Sequence, residues 1–343
     1  MAGEHPTSVT AEEESVADSQ RLRIGFVLPV EGPKASRESI TAFAREAERL
    51  HADSLWASDR ILMPATRPSG YPYSEERSEV AFDPERPWFE PLSVLGLVAG
   101  ITERVELGTH VLVLPYRQPV VLARELASLD RLSNGRVVLG VGVGWMREEF
   151  AALGVDMGKR GRISDEYIRV LRSLWSTRGP VGFDGEFVSF DGVSLPLVPS
   201  RVGGPPVLIG GNSRAALLRA ARCGDGWLGV DLDPDETGRA IAVIREACAQ
   251  RGRSPGRMTL SMRRKIDVAA LSGGRAAGYT PGPAQLIDEI GQFISAGVGL
   301  LVFDLLNVPD MVEGLQWVLS EVVAASHLRE RGRRAPIGLR GKP

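Results

Sequence analysis

From residue 23 onward the apolar positions follow two alternating spacings. Short runs of Ile, Val and Leu have the length of strands. Each is followed by a stretch in which apolar residues recur every three to four positions, the pattern of a helix with one buried face. Residues 24–28 read as a strand and 36–50 as a helix, with Ile40, Phe43, Ala44, Ala47 and Leu50 on one side. The pair recurs as 54–57 with 90–101, 105–114 with 120–132, 136–143 with 164–175, and 206–209 with 213–222. It continues as 227–230 with 234–250, 258–268 with 283–296, and 299–305 with 309–325. Pro234 stands at a first helical position, where its missing N–H is no loss. Strands alternating with helices imply a parallel sheet covered by helices. Eight such pairs predict a closed (β/α)₈ TIM barrel. A doubly wound open sheet is the alternative, and it leaves the evenness of the count unexplained.

The predicted organisation is a single catalytic barrel over 21–327, with an N-terminal tail over 1–20 expected to be disordered and a C-terminal tail over 328–343. Three connections are long: 58–89, 178–205 and 269–282. The first and third follow strands directly, so they are expected over the C-terminal mouth, where barrel enzymes carry their chemistry. The second follows a helix and is expected to cross the opposite side. It contains a hairpin signal, with Asp184-Gly185 as its turn.

One strand is unusual. Arg136-Val-Val-Leu-Gly140-Val-Gly142-Val-Gly144-Trp145 carries three alternating glycines, which weaken a strand unless a ligand or another backbone must come close. A dinucleotide fingerprint would need a further glycine at position 145, and Trp145 stands there.

Composition narrows the choice of function. With 343 residues, 43% hydrophobic and 24% charged, the chain is able to bury a large core. A net charge of −2 argues against nucleic acid or an anionic membrane as partner. Cys223 and Cys248 lie far apart without metal-like spacing, so no metal is expected and a reducing cytoplasm fits best. No apolar run marks a signal peptide in the first twenty residues or a membrane span elsewhere.

Several separated segments coincide with one pattern: Leu55-Trp-Ala-Ser-Asp59, Leu107-Gly-Thr109-His-Val111, residues 140–150 and 171–175, and Pro206-Val-Leu-Ile-Gly210-Gly211-Asn212-Ser213 running on to Trp227. In their joint order and spacing these resemble the bacterial luciferase-like superfamily of flavin and deazaflavin oxidoreductases, in particular the branch expected to use coenzyme F420. The resemblance runs from about 23 to 325 and implies a TIM barrel. It implies that Gly210, Gly211, Asn212 and Ser213 hold the cofactor phosphate, a role suited to main-chain N–H groups and a helix N-terminus. It places Asp59, His110, Val111, Gly144 and Trp145 around the ring. It also implies a cis peptide between His110 and Val111, bowing the third strand towards the cofactor.

Two positions depart from the family pattern. Arg60 stands where a histidine is usual, and a guanidinium is no general base. It is expected to pair with Asp59, hold an anionic substrate, or stabilise charge on a reduced ring. Trp145 stands where the sugar-phosphate dehydrogenases carry a glutamate, and it can only stack and shape the pocket. Asp59, Arg60 and His110 are therefore the candidate catalytic residues, with His110 suited to proton exchange if its pKa is ordinary. Tyr71, Tyr116 and Arg117 are the candidate substrate contacts. The expected activity is hydride transfer between coenzyme F420 and a small organic substrate. An FMN-dependent monooxygenase fed by a separate reductase is the alternative, and a non-catalytic flavin-binding relative a third reading. A homodimer is expected.

Overall fold

The computed structural model describes residues 21–65, 85–176, 179–266 and 282–324. The expectations for Tyr71, for both tails and for most of the first and third long connections fall outside them.

In chain order the strands are β1 (Arg23–Val27), β2 (Ser54–Ala57), β3 (Glu106–Thr109), β4 (Leu112–Val113), β5 (Val137–Gly142), β6 (Val181–Asp184), β7 (Ser189–Val193), β8 (Val207–Gly210), β9 (Gly226–Val230), β10 (Thr259–Lys265) and β11 (Leu300–Asp304). One parallel sheet runs β3-β2-β1-β11-β10-β9-β8-β5-β4, and β3 also pairs with β5, which closes the circle. β3 and β4 are two halves of one stave, so the barrel has the eight staves expected of a (β/α)₈ fold. The break falls at His110 and Val111, whose peptide bond is cis, as the resemblance implied.

The helices are α1 (Arg37–Arg49), α2 (Pro91–Ala99), α3 (Pro119–Leu132), α4 (Arg147–Ala152), α5 (Arg160–Ser176), α6 (Arg214–Cys223), α7 (Pro234–Ala249), α8 (Pro283–Ala296) and α9 (Met311–Trp317). Their starts obey capping chemistry: Ser36 accepts from Ser39 N–H, and Asp233 and Glu236 form a reciprocal capping box. The periodicity missed α4, a helix of only six residues in which Glu149 and Phe150 face inward. The hairpin β6–β7 lies between α5 and β8, as expected, but its turn is longer than Asp184-Gly185. Asp184 already pairs with Ser189, and the buried Glu166 carboxylate gathers the N–H groups of Glu186, Phe187 and Val188, each at 2.8 Å.

The core has two layers. One lies between the staves and the helices, and the other fills the barrel itself with Val27, Trp56, Val138, Leu208, Leu228, Leu300 and Val302. Trp56 is paired in register with Val27 on one side and Gly108 on the other. A Cβ at Gly108 would lie 2.2 Å from the indole, and one at Gly25 would lie 2.7 Å from its Nε1. These two glycines therefore make room for a tryptophan pointing into the lumen, where Nε1 donates to Ser54 Oγ at 2.8 Å. The site stands above this floor.

Candidate active site

The glycines of β5 face protein. A Cβ on Gly140 would meet Thr109 O at 2.0 Å, and one on Gly142 would meet Val111 Cγ2 at 2.5 Å. On the next stave, a Cβ on Gly210 would meet Val111 Cγ1 at 2.5 Å. The glycine pattern thus accommodates the broken third stave: Val111 lies across gaps left on the adjacent β5 and on β8 beyond it. Gly144, with φ +78°, packs on Val113 and Phe150 in the same way.

His110 sits on that break, buried, with its ring edge-on to Trp56 at 6.0 Å between centroids. Its Nε2 is buried without a hydrogen-bond partner among the described residues. Burial, then the positive charge of Arg263, pull its pKa down to about 3. The ordinary value expected for proton exchange is therefore corrected. The imidazole is neutral at physiological pH, so it offers a hydrogen bond and no ready proton.

Asp59 and Arg60 do not pair with each other. The Asp59 carboxylate is fully buried, receives both Arg117 Nη atoms at 2.5 and 2.9 Å, and accepts from Val113 N–H at 2.8 Å. Arg60 instead donates to Glu149 Oε2 at 2.7 Å and lies against the rings of Trp145 and Trp88, at 5.1 and 5.4 Å from their centroids. The two departures from the family pattern, Arg60 and Trp145, are thus in contact. Glu149 also accepts from Ile61 N–H at 2.8 Å and from the Tyr116 hydroxyl at 3.2 Å. Burial and this carboxylate push the Tyr116 pKa up. Arg117 and Tyr116, the expected substrate contacts, are each held by one of the two carboxylates. Asp59 and Arg60, adjacent in sequence, thus find their partners on different elements.

The cradle at 210–213 is narrower than its sequence suggests. Gly211, at φ +111°, uses its N–H on Leu228 O at 3.1 Å, and both ends of the Asn212 amide are committed to the Val230 backbone, at 2.7 and 3.1 Å. Ser213 caps α6 by accepting from Ala216 N–H. What remains for an anion is the first turn of α6, whose leading N–H groups have no acceptor within the helix. Together with the unpartnered Nε2 of His110, and with Val111 over Gly210, this cradle fits a phosphorylated ring system.

Charged residues closing other staves complete the mouth, and sequence reasoning missed them. Glu31 follows β1, and its backbone bridges to Trp88. Asp231 follows β9, Arg263 lies on β10, and Asp304 ends β11. Arg263 joins Asp231 at 3.0 Å and Asp304 at 3.8 Å. The rule that charged residues at C-terminal strand ends serve the site would have found them. A separate surface cavity of about 450 Å³, lined by Asp225, Arg253, Ser254, Arg257 and Met258, lies at the N-terminal end of β9, away from this mouth.

Fold and site together define a TIM-barrel enzyme with its polar groups gathered at the C-terminal mouth. The model of the luciferase-like monooxygenase family matches residues 22–272, and the chain belongs to that family. As such it is an oxidoreductase. An uncharacterised protein of Mycobacterium tuberculosis is 34% identical over 211 residues, 62% of this chain and 72% of the relative. The F420-dependent glucose-6-phosphate dehydrogenase of Amycolatopsis mediterranei is 30% identical over 237 residues, 66% of this chain and 64% of that protein. The FMNH(2)-dependent dimethylsulfone monooxygenase of Pseudomonas fluorescens is 42% identical over 111 residues, 32% of this chain and 30% of that protein. Among solved structures, the coenzyme F420-dependent tetrahydromethanopterin reductase from Methanopyrus kandleri superposes with a TM-score of 0.68 at 17% identity, covering 89% of this chain and 99% of its own. No helix among the described residues is long and apolar enough to cross a membrane.

Proposed function

We propose that the chain is a coenzyme F420-dependent oxidoreductase that moves a hydride between the deazaflavin and a small organic substrate. The observation that carries the reading is the placement of Val111. It lies over Gly142 and Gly210, it follows His110, whose Nε2 is buried without a partner among the described residues, and the strand that ends at Gly210 leads into α6. That arrangement suits a flat ring resting on the broken stave with its phosphate at the helix end. When bound, the deazaflavin supplies the hydride carrier. The chain's part is to hold the phosphate on α6 N–H groups, offer His110 as a neutral hydrogen-bonding group, and keep Arg60 as a fixed cation between Trp88 and Trp145. The F420-dependent relative is matched over 237 residues, which supports the deazaflavin.

A second reading, an FMN-dependent monooxygenase with a partner reductase, is favoured by the 42% identity to the dimethylsulfone enzyme over its shorter segment. Titration of the apoprotein with coenzyme F420 and FMN side by side tests both. Saturable quenching of F420 fluorescence with weaker FMN binding is expected, and preference for FMN overturns the proposal. A homodimer in the cytoplasm, reduced through a separate F420 reductase, completes the proposed picture.

A further inference from the structure

Two guanidinium groups at the mouth keep donors uncommitted. Arg117 gives both Nη atoms to Asp59, and Arg263 joins Asp231 and Asp304. Arg60 differs. Its Nη1 donates to Glu149 Oε2 at 2.7 Å and lies 3.5 Å from Met146 Sδ, and these are its hydrogen bonds among the described residues. Its Nε is buried without a partner among them. The edge formed by Nε and Nη2, which presents two parallel N–H donors, is therefore uncommitted. Arg86, on the same connection after β2, repeats the pattern. Its Nε is also buried without a partner, and its Nη2 makes only a long contact of 3.7 Å with Glu31. We propose that Arg60, assisted by Arg86, binds a carboxylate of the substrate, so that the enzyme acts on small organic acids. This extends the function proposed above, and it holds whichever of the two cofactors is bound.

Arg60 is held ready for such a ligand. The Glu149 carboxylate is 1% exposed and shared: it also accepts from Ile61 N–H at 2.8 Å, Leu62 N–H at 3.4 Å and the Tyr116 hydroxyl at 3.2 Å. It fixes Nη1 without engaging the other edge. The rings of Trp145 and Trp88, at 5.1 and 5.4 Å from Cζ, cover the guanidinium and keep water from it. In such surroundings a charge-assisted hydrogen bond is stronger than in water. A buried N–H without an acceptor is a cost that an arriving carboxylate removes. Arg86 is brought to the same corner by backbone pairing, since Gly32 N–H donates to Pro87 O at 2.9 Å and Phe89 N–H to Val30 O at 2.8 Å. Gly32 leaves it room: a Cβ there would lie 3.0 Å from Arg86 Nη2. Trp88, against which Arg60 lies, is two residues after Arg86.

The charge balance of the mouth selects the kind of anion. Arg60, Arg86 and Arg263 stand there with Glu31, Glu149, Asp231 and Asp304, so the mouth offers no general attraction to negative charge. A doubly charged phosphate would meet net repulsion. A singly charged, planar carboxylate matches the two parallel N–H donors of the Arg60 edge, which a lysine in its place would lack. Recognition then comes from the geometry of the fork rather than from the field of the site.

The test uses the full chain as wild type, Arg60→Lys and Arg86→Gln. Arg60→Lys keeps a charge beside Glu149 and removes the fork. Calorimetric titration with benzoate, phenylacetate and hexanoate is set beside the matching primary amides and phenyl phosphate, with and without F420. In wild type at least one acid is expected to bind about tenfold or more tighter than its amide, and tighter than the phosphate ester. The preference should fall to about twofold or less in Arg60→Lys and fall in part in Arg86→Gln. No saturable binding of any acid, equal binding of acid and amide, or an unchanged preference in either variant overturns the inference. Tighter binding of the phosphate ester overturns the carboxylate assignment. The Kd for F420 should stay within about twofold in both variants. A rise that matches the loss for the acids would give the fork to the cofactor and overturn the inference. If wild type prefers the acids yet fails to bind F420, the deazaflavin reading falls and this one stands. Should Arg60→Lys not fold, Arg86→Gln carries the comparison, and an unchanged preference there overturns the inference.

Discussion

Arg117 grips Asp59 with both Nη atoms, at 2.5 and 2.9 Å, and so ties the segment after β4 to the end of β2. The carboxylate has no exposed surface, so removing it leaves a guanidinium with 13% exposure lacking its main counter-charge. Asp59→Ala is expected to lower stability by about 3–5 kcal/mol. Adding Arg117→Met should recover part of that, because the uncompensated charge goes with it. Urea unfolding of the two variants checks this, and equal midpoints for Asp59→Ala and wild type would show the pair to be idle.

The glycines of β5 make a second expectation sharp. Gly140→Ala places a methyl 2.0 Å from Thr109 O and 2.5 Å from Leu228 Cδ1, contacts that only a shift of the stave relieves. A loss of roughly 3 kcal/mol or more is expected. Gly154→Ala is the control: nothing lies within 4 Å, and only its φ of +67° opposes the substitution, for about 1 kcal/mol. Thermal melts should rank the two in that order.

A charge placed in the cradle should weaken cofactor binding without weakening the fold. Ser213 has φ −67° and ψ 148° and caps α6, and aspartate caps equally well. Ser213→Asp is therefore expected to melt like wild type. Its carboxylate would meet the incoming phosphate, and the Kd for F420 should rise by about tenfold or more. An unchanged Kd removes the phosphate from this helix end. This substitution is a cleaner probe than one at Gly211, where φ +111° would strain any side chain.

Acid should destabilise the protein through His110. Folded, it takes up a proton only near pH 3, whereas an unfolded chain does so near pH 6.5. The contribution is complete above the unfolded value and is lost as pH falls towards the folded one. The slope for this one group is about 1 kcal/mol per pH unit. Unfolding measured between about pH 6.5 and about pH 4 should show a steeper loss in wild type than in His110→Gln. Parallel curves would mean that the imidazole is protonated in the fold.

The order of elements was legible in the chain because local periodicity alone encodes it. Each amphipathic run must bury one face, and eight strand–helix repeats leave a closed barrel as the arrangement that buries them all. The break at His110 was also readable, since a short contiguous motif carries it. Partnership was not. Arg60 follows Asp59 in sequence yet bonds to Glu149, 89 positions away, while Asp59 bonds to Arg117, 58 positions away. Gly140, Gly142 and Gly210 announce close approach, but only the closed sheet reveals that Thr109 and Val111 are what approaches. Glu31, Arg263 and Asp304 carry no motif and meet at the mouth because β1, β10 and β11 are neighbours in the barrel. Local pattern decides which elements form. The pairing of charges and the depression of a buried pKa depend on distances across the barrel, and those exist only once it has closed.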